Sequence, residues 1–300
     1  MKRNLRKLTF ANYAAVAVCS LLLVGLEFLV DHFYRNTSGL DSFRLRAMLD
    51  TARYFLQAVV LFLVPFWKMG VKKGALCSHR KENLLGAQTF GFARFAPVLG
   101  VFLLTGVALM AALFVATQAA SVTYTFTQPG QEAATYLSAY TDNTADPLAA
   151  ISQIPMTELL EHLAPALVLA VLIAIPLMYW VWCRIRLAPY LVLDDAPMRA
   201  FPAIFRSIKL CKKQTGELMN LDLRFWWYYL LMVVATALGY ADIALLALGV
   251  TMNGTILFFC ALALQIAAHL AIAWCFQPKV ELAYAAFYDQ RKKAIEKIDN

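Results

Sequence analysis

Gln265 and His269 stand four residues apart within a long apolar run, a spacing that places an amide and an imidazole on one face of a helix. An imidazole beside an amide at that depth could relay a proton or hold a polar solute, because ionisable groups are costly in hydrocarbon and tend to face a bundle interior. An interhelical hydrogen bond worth about 1 kcal/mol explains the pair equally well. Glu27 and Asp242 are the acids nearest to apolar runs; each falls toward a run's outer end, where water is in reach, and reads as an interface residue. Glu158 and His162 repeat the four-residue spacing, but two ligands do not make a metal site, and an acid and an imidazole just before an apolar run are ordinarily solvated. No GxxxxGK[ST] loop or GxSxG elbow occurs, and no Cys/His pair has zinc-ligand spacing. These absences give no reason to expect a cofactor, a metal or hydrolytic chemistry.

A second surface is set by charge. Arg199, Arg206, Lys209 and Lys213 recur on one face of a stretch whose Phe201, Ile204, Phe205, Ile208 and Cys211 recur on another. Asp194-Asp195 reads as an N-cap, Pro197 suits the first turn and Gly216 a stop, which predicts one basic amphipathic helix of about five turns lying at a membrane interface. Its partners are anionic headgroups or, as the sharper reading, a protein. Arg224-Phe225-Trp226-Trp227-Tyr228-Tyr229 follows, with Trp226 and Trp227 in the role of headgroup-level anchors; Trp67, Trp180 and Trp182 stand beside cations in the same way.

The elements that position these groups follow from composition. The chain is 61% hydrophobic and 15% charged, with mean hydropathy +0.61, far from the roughly one-quarter charged content of soluble domains. Six apolar runs approach the ~20 residues that cross a bilayer: Phe10–Val30, Arg53–Lys68, Phe95–Thr117, Leu163–Trp182, Phe225–Gly249 and Ile256–Phe276. Each must be helical, because only an internal ladder satisfies the backbone in lipid. The first run exceeds the roughly 7–15 residues of a signal core and lacks a small-residue cleavage site, so it reads as a retained anchor.

Orientation comes from Lys and Arg. All but four of the 27 fall before the first run, from Lys68 at the end of the second to Arg94 before the third, in segment 184–224 or after the sixth. The exceptions are Arg35, Arg44, Arg46 and Arg53. The positive-inside rule therefore predicts an all-α, six-span protein with both termini cytoplasmic, residues 118–162 as one long external loop, and segment 184–224 inside. The net charge of +8 is a topology signal, and nucleic acid is not implied as a partner. None of the six cysteines lies in an external loop, so no structural disulfide is expected. Pro165 and Pro176 interrupt the fourth run with no matching broken run elsewhere, which gives thin support to a transporter-like repeat.

Three segments also carry a resemblance. Leu187-Ala188-Pro189-Tyr190-Leu191-Val192-Leu193-Asp194-Asp195, then Leu221-Asp222-Leu223-Arg224-Phe225-Trp226-Trp227-Tyr228, then Pro278-Lys279-Val280-Glu281-Leu282-Ala283-Tyr284-Ala285-Ala286-Phe287-Tyr288-Asp289 resemble the second half of the bacterial integral membrane family called domain of unknown function 975. Gly70–Phe95 is a weaker match to its first inner loop. The resemblance implies a bacterial cell-membrane location and lends no chemistry. Three functions are consistent with these features: a non-catalytic protein that organises lipid or partners, a transporter or transporter subunit using the Gln265/His269 face, and a membrane-embedded enzyme acting on lipids.

Overall fold

The computed structural model describes residues 2–36, 40–141, 156–194, 198–212, 214–247 and 254–299. Among these every regular element is helical, and six helical stretches are long and apolar enough to cross a membrane. In chain order the helices are α1 (Lys2–Asn36), α2 (Leu40–Arg80), α3 (Phe90–Ala93), α4 (Phe95–Thr125), α5 (Gln128–Thr141), α6 (Met156–Ile185), α7 (Ala188–Leu193), α8 (Ala200–Cys211), α9 (Thr215–Arg224), α10 (Trp226–Ala237), a 3-10 turn at Leu238–Tyr240, α11 (Ala241–Ala247), α12 (Gly254–Cys275) and α13 (Gln277–Asp299). Large apolar side chains such as Leu22, Phe102, Val107, Phe114, Leu172 and Val233 are exposed along the spanning helices. A soluble monomer does not display apolar surface on this scale; acyl chains cover it without cost.

The chain divides into two compact units, Met1–Phe102 with Leu187–Asn300, and Leu103–Arg186. In the first, α1 packs on α2 and α12, α2 also on α7 and α13, and α10 with its 3-10 turn on α12. Its core gathers Leu5, Phe66, Leu76, Tyr190, Leu218 and Tyr288. Helix α2 is 41 residues long, about 61 Å at 1.5 Å per residue and twice the hydrocarbon thickness. Its apolar part closes at Trp67, and the remainder carries Lys72, Lys73 and Arg80 outward to meet α13. There it ends on a left-handed Lys81 (φ 63°), with the Glu82 N–H donating to the Cys77 carbonyl at 2.8 Å, the reciprocal pattern of a Schellman stop.

In the second unit the stretch 118–162, expected as one long loop, is helical over 118–125 and 128–141 and again from Met156. Helix α4 runs on to Thr125, and α5 follows at once: the Thr127 Oγ1 accepts the Gly130 N–H at 3.2 Å, capping a helix whose second residue is Pro129. Thr-Gln-Pro-Gly is a helix start that reads, by composition alone, as a turn. Residues 142–155 lie outside the described ones. Tyr136 on α5 donates to the Glu158 carboxylate at 2.6 Å and stacks on the His162 ring at 4.3 Å, so a protein hydroxyl and an aromatic face are the neighbours of the two groups whose spacing suggested a metal.

Two further expectations are corrected. The fourth run is one continuous helix through Pro165 and Pro176; the broken span is the fifth, at Leu238-Gly239-Tyr240. The basic segment is three helices rather than one. Asp194 is the C-cap of α7, α8 starts only at Ala200 behind an extended Arg199, and Gly216 lies in the first turn of α9 instead of ending a helix. Asp195, Pro197 and Lys213 lie outside the described residues.

Candidate functional site

Gln265 and His269 do share a face, and the structure explains what that face meets. The Gln265 side chain lies against Gly239 at the break in span five: a Cβ placed there would stand 2.5 Å from Gln265 Oε1. His269 Nδ1 is 2.9 Å from the Gln265 carbonyl one turn back in the same helix. A carbonyl only accepts, so Nδ1 is the donor in this contact. Among the described residues neither side chain makes a hydrogen bond to another helix, so the interhelical bond expected from their spacing is not what holds them.

Both residues line a groove of about 230 Å³ between α1 and α12, with Tyr13, Val16, Ser20 and Leu262. His269, Tyr13 and Val16 also border a second cavity of about 220 Å³, whose remaining walls include Asn12, Trp67, Lys68, Met232 and Gln277. Asn12 is 3% exposed and Gln277 6%. Among the described residues neither Nδ2 nor Oδ1 of Asn12, nor Oε1 of Gln277, has a hydrogen-bond partner. Among the described residues Lys68 at the rim has no ion pair or hydrogen bond either.

Helix α8 presents the other surface. Ala203, Ser207, Leu210 and Cys211 are its buried stripe, and Ser207 Oγ accepts the Leu187 N–H at 3.2 Å, fastening it to the start of α7. Small residues on that stripe permit close approach. Phe201 and Phe205, each 62% exposed, turn outward with Arg206, Lys209 and Lys212, while Arg199 precedes the helix, also exposed. The sequence reading put the phenylalanines and cations on separate faces; here both belong to the outward half, because Ala203, Ser207 and Leu210 take the bundle side. Trp226 stands outward at 60% exposure, whereas Trp227 packs edge-on against Phe276 at 4.6 Å, so only the first has the free surface of an anchor. Arg184 lies over the Trp180 ring at 5.0 Å and Arg186 over Trp182 at 5.8 Å.

A third constellation is one that residue-by-residue reading missed. One face of α13 carries Glu281, Tyr284, Tyr288 and Lys292, spaced three or four apart, with Asp289 beside Tyr288. Arg80 reaches in from α2, with Nη1 on Asp194 Oδ1 at 2.7 Å and Nη2 on Asp289 Oδ1 at 2.7 Å. Tyr288 donates to Asp194 Oδ2 at 2.7 Å, and Lys292 Nζ lies 2.6 Å from the same oxygen. One turn earlier, Glu281 accepts from Lys72 at 3.3 Å and from the Tyr190 hydroxyl at 2.9 Å, and Tyr284 donates to Asp222, with Tyr229 2.9 Å away. Asp194, thought to be a cap, is instead a 3% exposed hub. The signal that could have found it was the coincidence of buried-type Tyr and Asp in separate segments with an unmatched Arg80.

Burial first, then the hydrogen bond to Asp194 and that carboxylate's charge, hold the Tyr288 phenol above its ordinary range despite nearby Arg80. The unfolded phenol ionises near 10. A raised folded value means the contribution to stability is complete below pH 10 and declines as pH rises toward the folded value. Thermal unfolding in detergent should therefore lose more stability between pH 9 and pH 11 in the wild type than in Tyr288→Phe; equal losses would show that Tyr288 is not the group responsible.

No protein family, curated protein or solved structure matches this chain.

Proposed function

We propose that the protein is a non-catalytic, multi-pass protein of a bacterial cell membrane that gathers anionic lipid at its cytoplasmic face through α8, with both termini on that side. The observation that carries the reading is the composition of α8's outward half. Phe201 and Phe205 are suited to enter the acyl boundary, and Arg199, Arg206, Lys209 and Lys212 to reach phosphates, while the inward stripe fixes the helix to the protein. The distribution of Lys and Arg supports the orientation. The resemblance of the Leu187–Asp195, Leu221–Tyr228 and Pro278–Asp289 segments to domain of unknown function 975 supports a bacterial membrane setting.

Each basic side chain near an anionic surface contributes about 1 kcal/mol, screened by salt. Extracted in polymer discs that retain native lipid, the wild type should carry an excess of anionic over zwitterionic lipid compared with the bulk membrane. In Arg206→Gln/Lys209→Gln/Lys212→Gln the excess should fall to the bulk value. An unchanged excess would remove α8 as the cause, and no excess in the wild type would remove the function.

A further inference from the structure

The cavity beside α8's bundle is a separate place with its own chemistry. Its wall atoms ask for a particular set of partners. Lys68 and Asn12 Nδ2 are donors and call for an acceptor, whereas Asn12 Oδ1 and Gln277 Oε1 are acceptors and call for a donor. Because both ends of the Asn12 amide lack partners, the demand is the same whichever way that amide is turned. Leaving the buried Asn12 and Gln277 atoms unmatched costs about 1–3 kcal/mol each, so a protein that retains them ordinarily matches them with something, whereas Lys68 stands exposed at the rim.

The space is large enough for a lipid headgroup. About 10–15 Å³ of probe-sized volume holds one water, and this cavity offers about 220 Å³. Its position is equally informative. Lys68 closes the apolar stretch of α2, and Gln277 opens α13 directly after span six ends at Cys275. The polar wall is thus at headgroup level. The adjoining groove runs the other way: Ser20 is seven residues beyond Tyr13 along α1, and Leu262 seven residues before His269 along α12, about 10 Å deeper on each helix. Its lining there is mostly apolar, and it shares Tyr13, Val16 and His269 with the cavity. A polar chamber at the interface that opens into an apolar groove has the outline of an amphiphile.

We propose that this cavity and groove form a site for one anionic glycerophospholipid whose headgroup carries hydroxyls. The phosphodiester accepts from Lys68 and Asn12 Nδ2, the headgroup hydroxyls donate to Asn12 Oδ1 and Gln277 Oε1, and an acyl chain lies between α1 and α12. A choline headgroup has no hydrogen to give and leaves both carbonyl oxygens unmatched. An ethanolamine headgroup can donate, but brings a second cation toward Lys68. His269 stands at the junction of chamber and groove. The site does not depend on α8.

Native mass spectrometry of the detergent-purified full chain tests the assignment, with dioleoyl phosphatidylglycerol, phosphatidylethanolamine or phosphatidylcholine added at equal concentration. The expected result is a single bound phosphatidylglycerol, retained about tenfold more tightly than either zwitterionic lipid, as the two headgroup-hydroxyl hydrogen bonds at about 0.5–1.5 kcal/mol each correspond together to about that factor. Lys68→Met and Asn12→Leu/Gln277→Leu should each abolish the preference, and Arg206→Gln/Lys209→Gln/Lys212→Gln should leave it intact, which separates this site from α8. Asn12→Leu replaces an unmatched buried amide by an apolar group, so lipid-free thermal stability should hold or rise, and a loss of binding cannot then be blamed on unfolding. Equal retention of all three lipids, or a preference that survives the cavity variants, overturns the proposal. So does glycerol 3-phosphate binding with the same dependence on Lys68 and Asn12 while phosphatidylglycerol does not, because the ligand would then be a soluble phosphate ester.

Discussion

Asp194→Ala is expected to destabilise the protein by about 3–5 kcal/mol, the cost of removing one partner from a buried charge cluster. Most of the variant should fail to survive extraction as a monodisperse species. The carboxylate accepts from Arg80, Tyr288 and Lys292 at 2.7, 2.7 and 2.6 Å. Without it, Arg80 and Lys292 lose the carboxylate they share and a buried phenol loses its acceptor. Asp194→Asn keeps the shape and still accepts from Tyr288, so it should fall between alanine and wild type; Tyr288→Phe removes one hydrogen bond and should lose about 1 kcal/mol. Detergent-solubilised thermal unfolding followed by tryptophan fluorescence ranks the three. A ranking with Tyr288→Phe worst, or Asp194→Ala within 1 kcal/mol of wild type, would mean that the cluster does not hold α2 to α13. The matter bears on function because α13 begins with Gln277 and α2 supplies Trp67 and Lys68, so the cluster fixes the distance between two walls of the cavity.

What the sequence made legible here was what a single helix or a single charge count determines. The six spans follow from run length, since hydrocarbon thickness dictates it, and the runs at Phe95, Leu163 and Ile256 each lie within an observed spanning helix, as far as Cys275 in the last. Where one segment's meaning depends on another, sequence reading went astray. Asp194 carries the local signature of an N-cap, and only the approach of α2 and α13, over a hundred residues before and about ninety after it, turns it into an ion-pair hub. The two faces of α8 were assigned by polarity, whereas the bundle chose by size: Ala203 and Ser207 fit against α7 where Phe201 could not. Gln265 and His269 were legible as a pair, but what the Gln265 side chain lies against is a glycine. Gly239 offers no side chain to read and no donor beyond its backbone, and its role appears only when Gln265 is seen filling the place of a Cβ. Asn12 and Gln277 drew no notice for the opposite reason, since each is a lone amide that gains meaning only beside the other and Lys68.

Gly91→Ala should be the most damaging addition of a single methyl group at a helical glycine of the first unit, whereas Gly106→Ala should be neutral or slightly stabilising. Both glycines are helical, and helix propensity alone favours alanine at each by roughly 1 kcal/mol. Space reverses the sign at only one of them. A Cβ on Gly91 would stand 2.5 Å from the Phe66 carbonyl oxygen and 3.2 Å from Met69 Cβ, and one on Gly106 would meet nothing within 4 Å. The Phe66 carbonyl is backbone in a long helix and cannot swing aside. Segment 87–91 must therefore lift off α2, and Gly70, whose own Cβ position lies 2.7 Å from the Gln88 carbonyl, shows that the contact is close on both sides. Lifting it also parts Phe66 from Phe92 and Phe95, now stacked at 5.3 and 5.0 Å. Overpacking of this kind costs about 1–3 kcal/mol, enough to see as a lowered unfolding midpoint against Gly106→Ala in the same detergent. Because Phe66 immediately precedes Trp67 and Lys68, the displacement should also weaken phosphatidylglycerol retention at the cavity, a coupling that a mere loss of helix stability elsewhere in the chain would not produce. Indistinguishable midpoints for the two variants would show that α3 does not seat on α2 as closely as the Gly70 and Gly91 contacts require.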